Sequence, residues 1–399
     1  FRSHYEDTST QMVALNIVYD VGARDEHPEH TGFAHLFEHL MFGGSAHIPD
    51  YDTPLQLAGG ENNAWTNNDI TNYYLTVPKP NVETAFWLES DRMLELAFSE
   101  QSLEVQRGVV MEEFKQRCLN QPYGDVGHLF RPLAFRVHPY RWPTIGKELS
   151  HIEQATLDEV KSFFYRFYAP NNAVLAVTGN ISWDETVKLT EKWFAPIPRR
   201  DVPVRQLPQE PEQTQERRLT VERNVPLDAL FMGYHMCSRE GADYYAFDIL
   251  SDILSNGRSS RLNRRLVQEQ NIFSGIDAYI SGTRDAGLLQ ISGKPAAGVS
   301  LEQAEAAVRK ELEELQRSPV DGQELEKVKN KFESTQIFGN INYLNVATNL
   351  AWFELTGKAE DIDLEVERYR SVTTEQLHTV AQRTFCESNA VVLYYKSDK

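Results

Sequence analysis

Cysteine is scarce. The chain has three in 399 residues, Cys118, Cys237 and Cys386, far apart and odd in number. That excludes a disulfide framework and a cysteine-held zinc site. Long apolar runs are missing too. No stretch of about 18 apolar residues exists, so no membrane span is expected. Positive charge is short, with 40 Lys and Arg against 58 Asp and Glu and a net charge of −18. Such a surface repels phosphate backbones and argues against nucleic acid. It concentrates basic peptides instead. Phe1 opens the sequence with neither Met nor a charged-then-apolar leader. Cytoplasmic and periplasmic locations both remain open, and the sparse cysteines fit a reducing compartment slightly better.

Proline is concentrated in one place. Between Ala195 and Pro211 stand Pro196, Pro198, Pro203, Pro208 and Pro211, among charged residues. Such a segment cannot pack as helix or central strand and reads as a linker. A chain this long, 41% hydrophobic, exceeds one ordinary core. The expected layout is an N-terminal domain over 1–195, a linker over 196–216 and a C-terminal domain over 217–399.

The two halves look alike. Met12 to Tyr19 alternates as a strand and leads to Arg24, and Asp228 to His235 does the same and leads to Arg239. Each half closes on an apolar strand, Asn172 to Val177 and Asn389 to Tyr394. The offsets, 239 − 24 = 215 and 389 − 172 = 217, are nearly constant, as a duplication requires. In each half strands come first, then long helices, then a final strand. Val82–Ala97, Glu100–Arg117, Leu157–Tyr168, Leu301–Arg317, Gly322–Phe338 and Tyr343–Leu355 carry the helical patterns. The expected fold class is α+β, two similar domains, each a largely antiparallel sheet covered by helices.

Chemistry concentrates in His35-Leu36-Phe37-Glu38-His39, an H-x-x-E-H pattern. Residues four apart on a helix sit one above the other, so His35 and His39 share a face. Two neutral imidazoles there can reach one Zn²⁺. Glu38 lies beside them, placed to take a proton from a water the metal activates. Thr31 is positioned to cap this helix, and Gly43-Gly44 to end it. The second half has Asp248-Ile249-Leu250-Ser251-Asp252 where the motif would recur, so only one half is expected to bind metal.

A catalytic zinc takes three protein ligands and keeps one position open. His47 follows beyond the Gly-Gly break and reads as a loop residue. The best carboxylate source is Met111-Glu112-Glu113-Phe114. Adjacent helical residues diverge by about 100°, so only one of Glu112 and Glu113 can face the metal, and spacing does not choose.

Phe33-Ala34-His35-Leu36-Phe37-Glu38-His39-Leu40-Met41-Phe42 resembles the signature of the pitrilysin/insulinase family, which includes the mitochondrial processing peptidase. Val105 to Phe114 resembles its distal-glutamate motif. Asn63-Ala64-Trp65-Thr66, with Asp69, Thr71 and Tyr73, resembles its active-site strand. The likeness runs from about residue 12 to 396. It implies that Glu113 is the third ligand and that one Zn²⁺ is held per chain. It implies a zinc endopeptidase with Glu38 as general base, acting on unfolded peptides within a dimeric chamber. A substrate peptide would add as a strand near Asn63, Ala64, Trp65 and Thr66.

Two departures stand out. Many members carry a further Glu seven residues before the ligand; here that is Gln106. Many also have an Arg and a Tyr seven apart after a Ser-Ser-Arg-Leu segment. Here Ser259-Ser260-Arg261-Leu262 is followed by Val267 and Ser274 at those places. A homodimer, or a heterodimer with a related subunit carrying the Arg/Tyr pair, is therefore expected. The rival reading is a peptide-binding or scaffold subunit that is inactive without a partner.

Overall fold

The apolar alternation from Met12 to Tyr19 forms a strand over those same eight residues in the computed structural model, which describes residues 3–398. Five strands build the sheet of the first unit: β1 (Ser3–Glu6), β2 (Met12–Tyr19), β3 (Glu61–Thr66), β4 (Thr71–Pro78) and β5 (Ala173–Gly179). They lie in the order β1-β5-β2-β4-β3. The second unit has β6 (Arg217–Arg223), β7 (Ala229–His235), β8 (Phe273–Ile280), β9 (Leu288–Pro295) and β10 (Ala390–Ser397). Their order is β6-β10-β7-β9-β8. Adding five to each number of the first order gives the second, which is the duplication expressed as topology. The sheets are antiparallel except for one parallel pair at an edge of each, β1 with β5 and β6 with β10. Strands at both ends and helices between them make each unit α+β.

Strand periodicity decides where the first core sits. Val13, Leu15, Ile17 and Tyr19 point to one face of β2. They join a cluster with Phe37 of helix Phe33–Leu40, Phe86 of helix Val82–Leu94 and Phe164 of helix Leu157–Phe167. Ala14 and Val18 point to the other face, with Val174 and Ala176 of β5, and meet Ala347 and Ala351 of helix Tyr343–Thr356. Asn16, fully buried on this second face, donates to Asn72 Oδ1 at 2.8 Å and accepts the Thr348 hydroxyl at 3.2 Å.

The units do not follow the halves of the sequence. The first comprises the residues up to Asn120, Trp142–Pro208 and Ile337–Asp363. The second comprises Gln121–Arg141, Gln209–Gln336 and the chain from Leu364 onward. Helix Val126–Ala134, from the first half, therefore belongs to the second unit. There Phe130 and Ala134 pack with Leu288, Val391 and Leu393. Helix Tyr343–Thr356, from the second half, covers the outer face of the first sheet. Between Phe194 and Arg217 the chain forms neither helix nor strand, as its prolines dictate.

Ala347 and Ala351 are fully buried where this helix meets β2 and β5. Ala351→Leu should cost about 1–3 kcal/mol by overpacking. Urea denaturation should show a lower midpoint at unchanged slope. A wild-type midpoint would mean that the helix is not packed closely there.

Candidate metal centre

Helix Phe33–Leu40 buries Phe33, Ala34, His35, Leu36, Phe37 and Leu40. Phe37 stacks on Phe163 and Tyr168 at centroid distances of 5.0 and 5.2 Å. Its carbonyl accepts the Tyr73 hydroxyl of β4 at 3.3 Å. The cap differs from the sequence expectation. Gly32, not Thr31, is the N-cap, with φ of 86°, and no side chain caps it. That positive φ favours glycine, and a Cβ there would also crowd the Ile145 carbonyl oxygen at 3.0 Å. Thr31 turns away, giving its backbone N–H to His151 Nδ1 at 3.2 Å and accepting Lys147 N–H at 2.8 Å.

The helix start is held instead by Glu26. Its buried carboxylate accepts the N–H of Gly32 at 3.0 Å and of Ala34 at 2.9 Å, and the Trp142 indole N–H at 3.1 Å. Two orphan donors of the first turn are thereby satisfied by a buried carboxyl group.

His35, His39 and Glu113 come together. Glu113 Oε2 lies 3.4 Å from His35 Nε2 and 3.3 Å from His39 Nε2. One donor atom of each of the three lies within 4.8 Å of the others. Two ligands at about 2.0–2.1 Å from a tetrahedral Zn²⁺ sit about 3.3–3.4 Å apart, so the spacing fits that ion. Burial holds the His35 imidazole down to about 4, keeping it neutral near pH 7 as ligation requires. The hydrogen bond with His39 holds the Glu113 carboxyl low, against burial. No other group of three or more His, Cys, Asp or Glu side chains is so arranged among the described residues.

Glu113 arrives on helix Glu100–Phe114. Ser99 caps that helix, and Ser102 Oγ bonds the Gly43 carbonyl at 3.2 Å, tying it to the end of the motif helix. Glu112, the alternative that spacing left open, is exposed and takes a 3.3 Å bond from Gln116. His47 is drawn to Asp91, 2.6 Å away. Glu38 is half-buried, and burial pushes its carboxyl up while the Thr66 hydroxyl and His39 pull it down.

The four β3 residues divide between faces. Ala64 packs against the inner core and Thr66 bonds Glu38, whereas Trp65 packs on the outer face. Asn63 is exposed, and its Oδ1 accepts the N–H of Ala64 at 2.8 Å. Sequence reasoning passed over two neighbours. Arg117 Nη2 lies 2.8 Å from Glu113 Oε1, leaving Oε2 for the histidines; its signal was the i,i+4 spacing. Glu26 had no such signal, because it acts through backbone N–H groups that no motif displays. In the second unit, helix Tyr244–Ser255 occupies the place of the motif helix. Its Asp248 is bonded by the Tyr369 hydroxyl and its Asp252 by Asn256. Arg265 is engaged by Glu311 and Glu314, and Tyr279 bonds Gln290 at 3.4 Å.

Burial raises the Glu26 carboxyl from its ordinary value near 4.5 to about 8. Between those values the folded chain holds a proton that the unfolded chain has released. The contribution of Glu26 to stability therefore falls as pH rises across this window and is fully lost above it. Glu26→Gln should show a flatter decline than wild type in urea midpoints from pH 5 to 8. Parallel profiles would contradict the assignment.

A family profile described as insulinase (peptidase family M16) matches residues 3–125, and one described as the peptidase M16 inactive domain matches residues 154–332. The chain is 26% identical over 395 residues to the zinc protease PqqE of Helicobacter pylori, covering 98% of this chain and 89% of that protein. It is 24% identical over 388 residues to the uncharacterized zinc protease YmxG of Bacillus subtilis, covering 96% and 93%. The crystal structure of a protease from Helicobacter pylori superimposes with a TM-score of 0.90 at 26% identity, covering 97% and 95%. A putative M16-like peptidase from Alicyclobacillus acidocaldarius gives 0.86 at 18% identity, covering 100% and 97%, a likeness of fold. With the inverted motif, the three converging side chains and both halves matched, the chain belongs to the M16 (insulinase) family of zinc peptidases.

Proposed function

We propose that this chain is a zinc-dependent endopeptidase acting on unfolded peptides. The observation that carries the reading is the convergence of His35, His39 and Glu113 at tetrahedral-ligand spacing, with Glu38 beside them. His35 and His39 would hold the ion through Nε2 and Glu113 through Oε2. When bound, Zn²⁺ supplies Lewis-acid polarisation of a carbonyl and acidifies a water. Glu38 is the proton carrier. Its raised pKa brings it closer to neutral operation, so it can accept a proton from the attacking water and return it to the leaving amine. Arg117 fixes the Glu113 carboxylate by its other oxygen, the outer-layer support that orients a metal ligand.

The peptide would lie along β3, the open edge of the first sheet. Backbone hydrogen bonds would supply affinity without demanding a sequence. A strand arriving there takes the place of Asn63 Oδ1 on the Ala64 N–H. Asn63, Ala64, Trp65 and Thr66 then serve as the substrate edge. No helix among the described residues is long and apolar enough to cross a membrane. Val267 and Ser274, standing where related chains carry an Arg and a Tyr, favour a second chain, a copy or a related subunit, as the source of further substrate contacts.

Glu38→Gln should keep one zinc per chain and lower kcat by at least about 10²-fold, within the range for loss of a general base. His39→Ala should lose the metal as well. Metal content by mass spectrometry and peptide cleavage read both. Near-wild-type turnover in Glu38→Gln would refute its role. Zinc bound without cleavage in the wild-type chain, restored by a related subunit, would favour the reading of a subunit inactive alone.

A further inference from the structure

The outer face of β3 carries a second feature, one that the metal chemistry does not use. Pairing with β4 sets the parity: Asn62 and Ala64 lie opposite Leu75 and Tyr73, which face the core. Glu61 and Asn63 lie opposite Thr76 and Tyr74 and point to the other face. There a cavity of about 350 Å³ opens at the sheet edge, lined by Glu61, Asn63, Tyr74, Thr76, Tyr343 and Leu344, among others. The last two come from the start of helix Tyr343–Thr356, which lies on this face.

Glu61 is the only lining residue that carries a formal charge. It is exposed and pairs with no cation among the described residues. Burial, and then the Glu61 carboxylate beside it, push the Tyr343 hydroxyl up. A carboxylate with the Tyr74 and Tyr343 side chains around it offers ionic and cation–π attraction to a basic group. The N-terminus of helix Tyr343–Thr356 offers the opposite attraction, but Asn342 Oδ1 already takes the Leu344 N–H at 2.9 Å.

We infer that this cavity receives a lysine or arginine side chain of a peptide added to the β3 edge, and so selects substrates with a basic residue away from the scissile bond. The inference rests on the strand-addition reading above. An added strand presents alternate side chains to the two faces of the sheet. Side chains of one parity face the metal, and those of the other parity face the Glu61 cavity. Thr66, which bonds Glu38, marks the catalytic end of β3. Glu61 is five residues away, about 17 Å along the strand. The selected position therefore lies roughly three to five residues from the cut.

The test is a peptide series in one uncharged background, with a single Lys moved one residue at a time along both sides of the cut. The zinc-loaded full chain and Glu61→Gln are compared by kcat/KM, and binding of the same labelled peptides to Glu38→Gln and to Glu38→Gln/Glu61→Gln is followed by anisotropy. Lys should gain about tenfold over Gln at positions of one parity on one side, and this ratio should fall towards one without Glu61. Glu61→Lys should turn the preference towards Glu. A ratio independent of Glu61, a gain without parity, or a preference for Glu in the native chain overturns the inference. If nothing is cleaved but Glu61-dependent Lys selectivity persists in binding, the peptidase reading falls and the cavity assignment stands. If no peptide binds, the cavity assignment falls.

Discussion

An eight-residue helix must bury nearly all of its surface and still present one open stripe of imidazoles. Most of the first unit can be read as the answer to that constraint. Helices this short are unstable alone, so Phe33–Leu40 exists only through its packing and its ends. Phe37 sits in a stack of aromatic rings, and Gly32 allows the chain to enter against Ile152. Glu26 closes the first turn by accepting the N–H groups of Gly32 and Ala34. The cost of burying this carboxyl group is offset by three N–H bonds. Were the helix to tilt, both histidines would move together, and Glu113 arrives from a separate helix with its own tether at Gly43.

The second unit shows the same sheet order under no such constraint. Where the motif helix would be, Tyr244–Ser255 turns Asp248 towards Tyr369, and nearby Arg239 is committed to Glu365 and to the Tyr244 ring. These groups satisfy one another inside the unit. A buried ion pair of this kind adds little net stability over an apolar core, but removing one partner is severe. Duplication thus supplied two equivalent places, and in one of them the polar groups became structural.

The converging histidines were legible because their spacing is itself the geometry: four apart on a helix, His35 and His39 share one face. The helices with strong 3.6 periodicity were legible for the same reason, Leu301–Arg317 to the residue. Strands β2, β5, β7 and β10 begin within a residue of expectation. The edge strands β1 and β6 were not legible, since half-exposed strands such as Arg217–Arg223 carry too little apolar alternation. The membership of Val126–Ala134 and Tyr343–Thr356 was invisible as well. Their patterns reveal helices but not which sheet each covers, because the contacts join residues hundreds of positions apart, as Thr348 does with Asn16. Glu112 and Glu113 could be separated only once the azimuth of their helix was known.

Period two gives the edge strand β3 a capacity that a helix lacks. Its inward residues meet the Glu38 carboxylate through Thr66 and the core through Ala64. Its outward residues meet a cavity that the exchanged helix Tyr343–Thr356 helps to wall. A peptide paired with this edge inherits the same alternation, so its side chains are sorted by parity between the two faces. The backbone pairing is indifferent to sequence, and any discrimination must come from what each face offers. On the inner face that is His35, His39 and Glu113 and a packed core, which would limit size. On the outer face it is an unpaired carboxylate among tyrosines, which would discriminate by charge. Affinity, catalysis and selectivity can then vary independently on one six-residue strand, because a change of side chain on one face leaves the other face and the hydrogen-bonding edge unaltered.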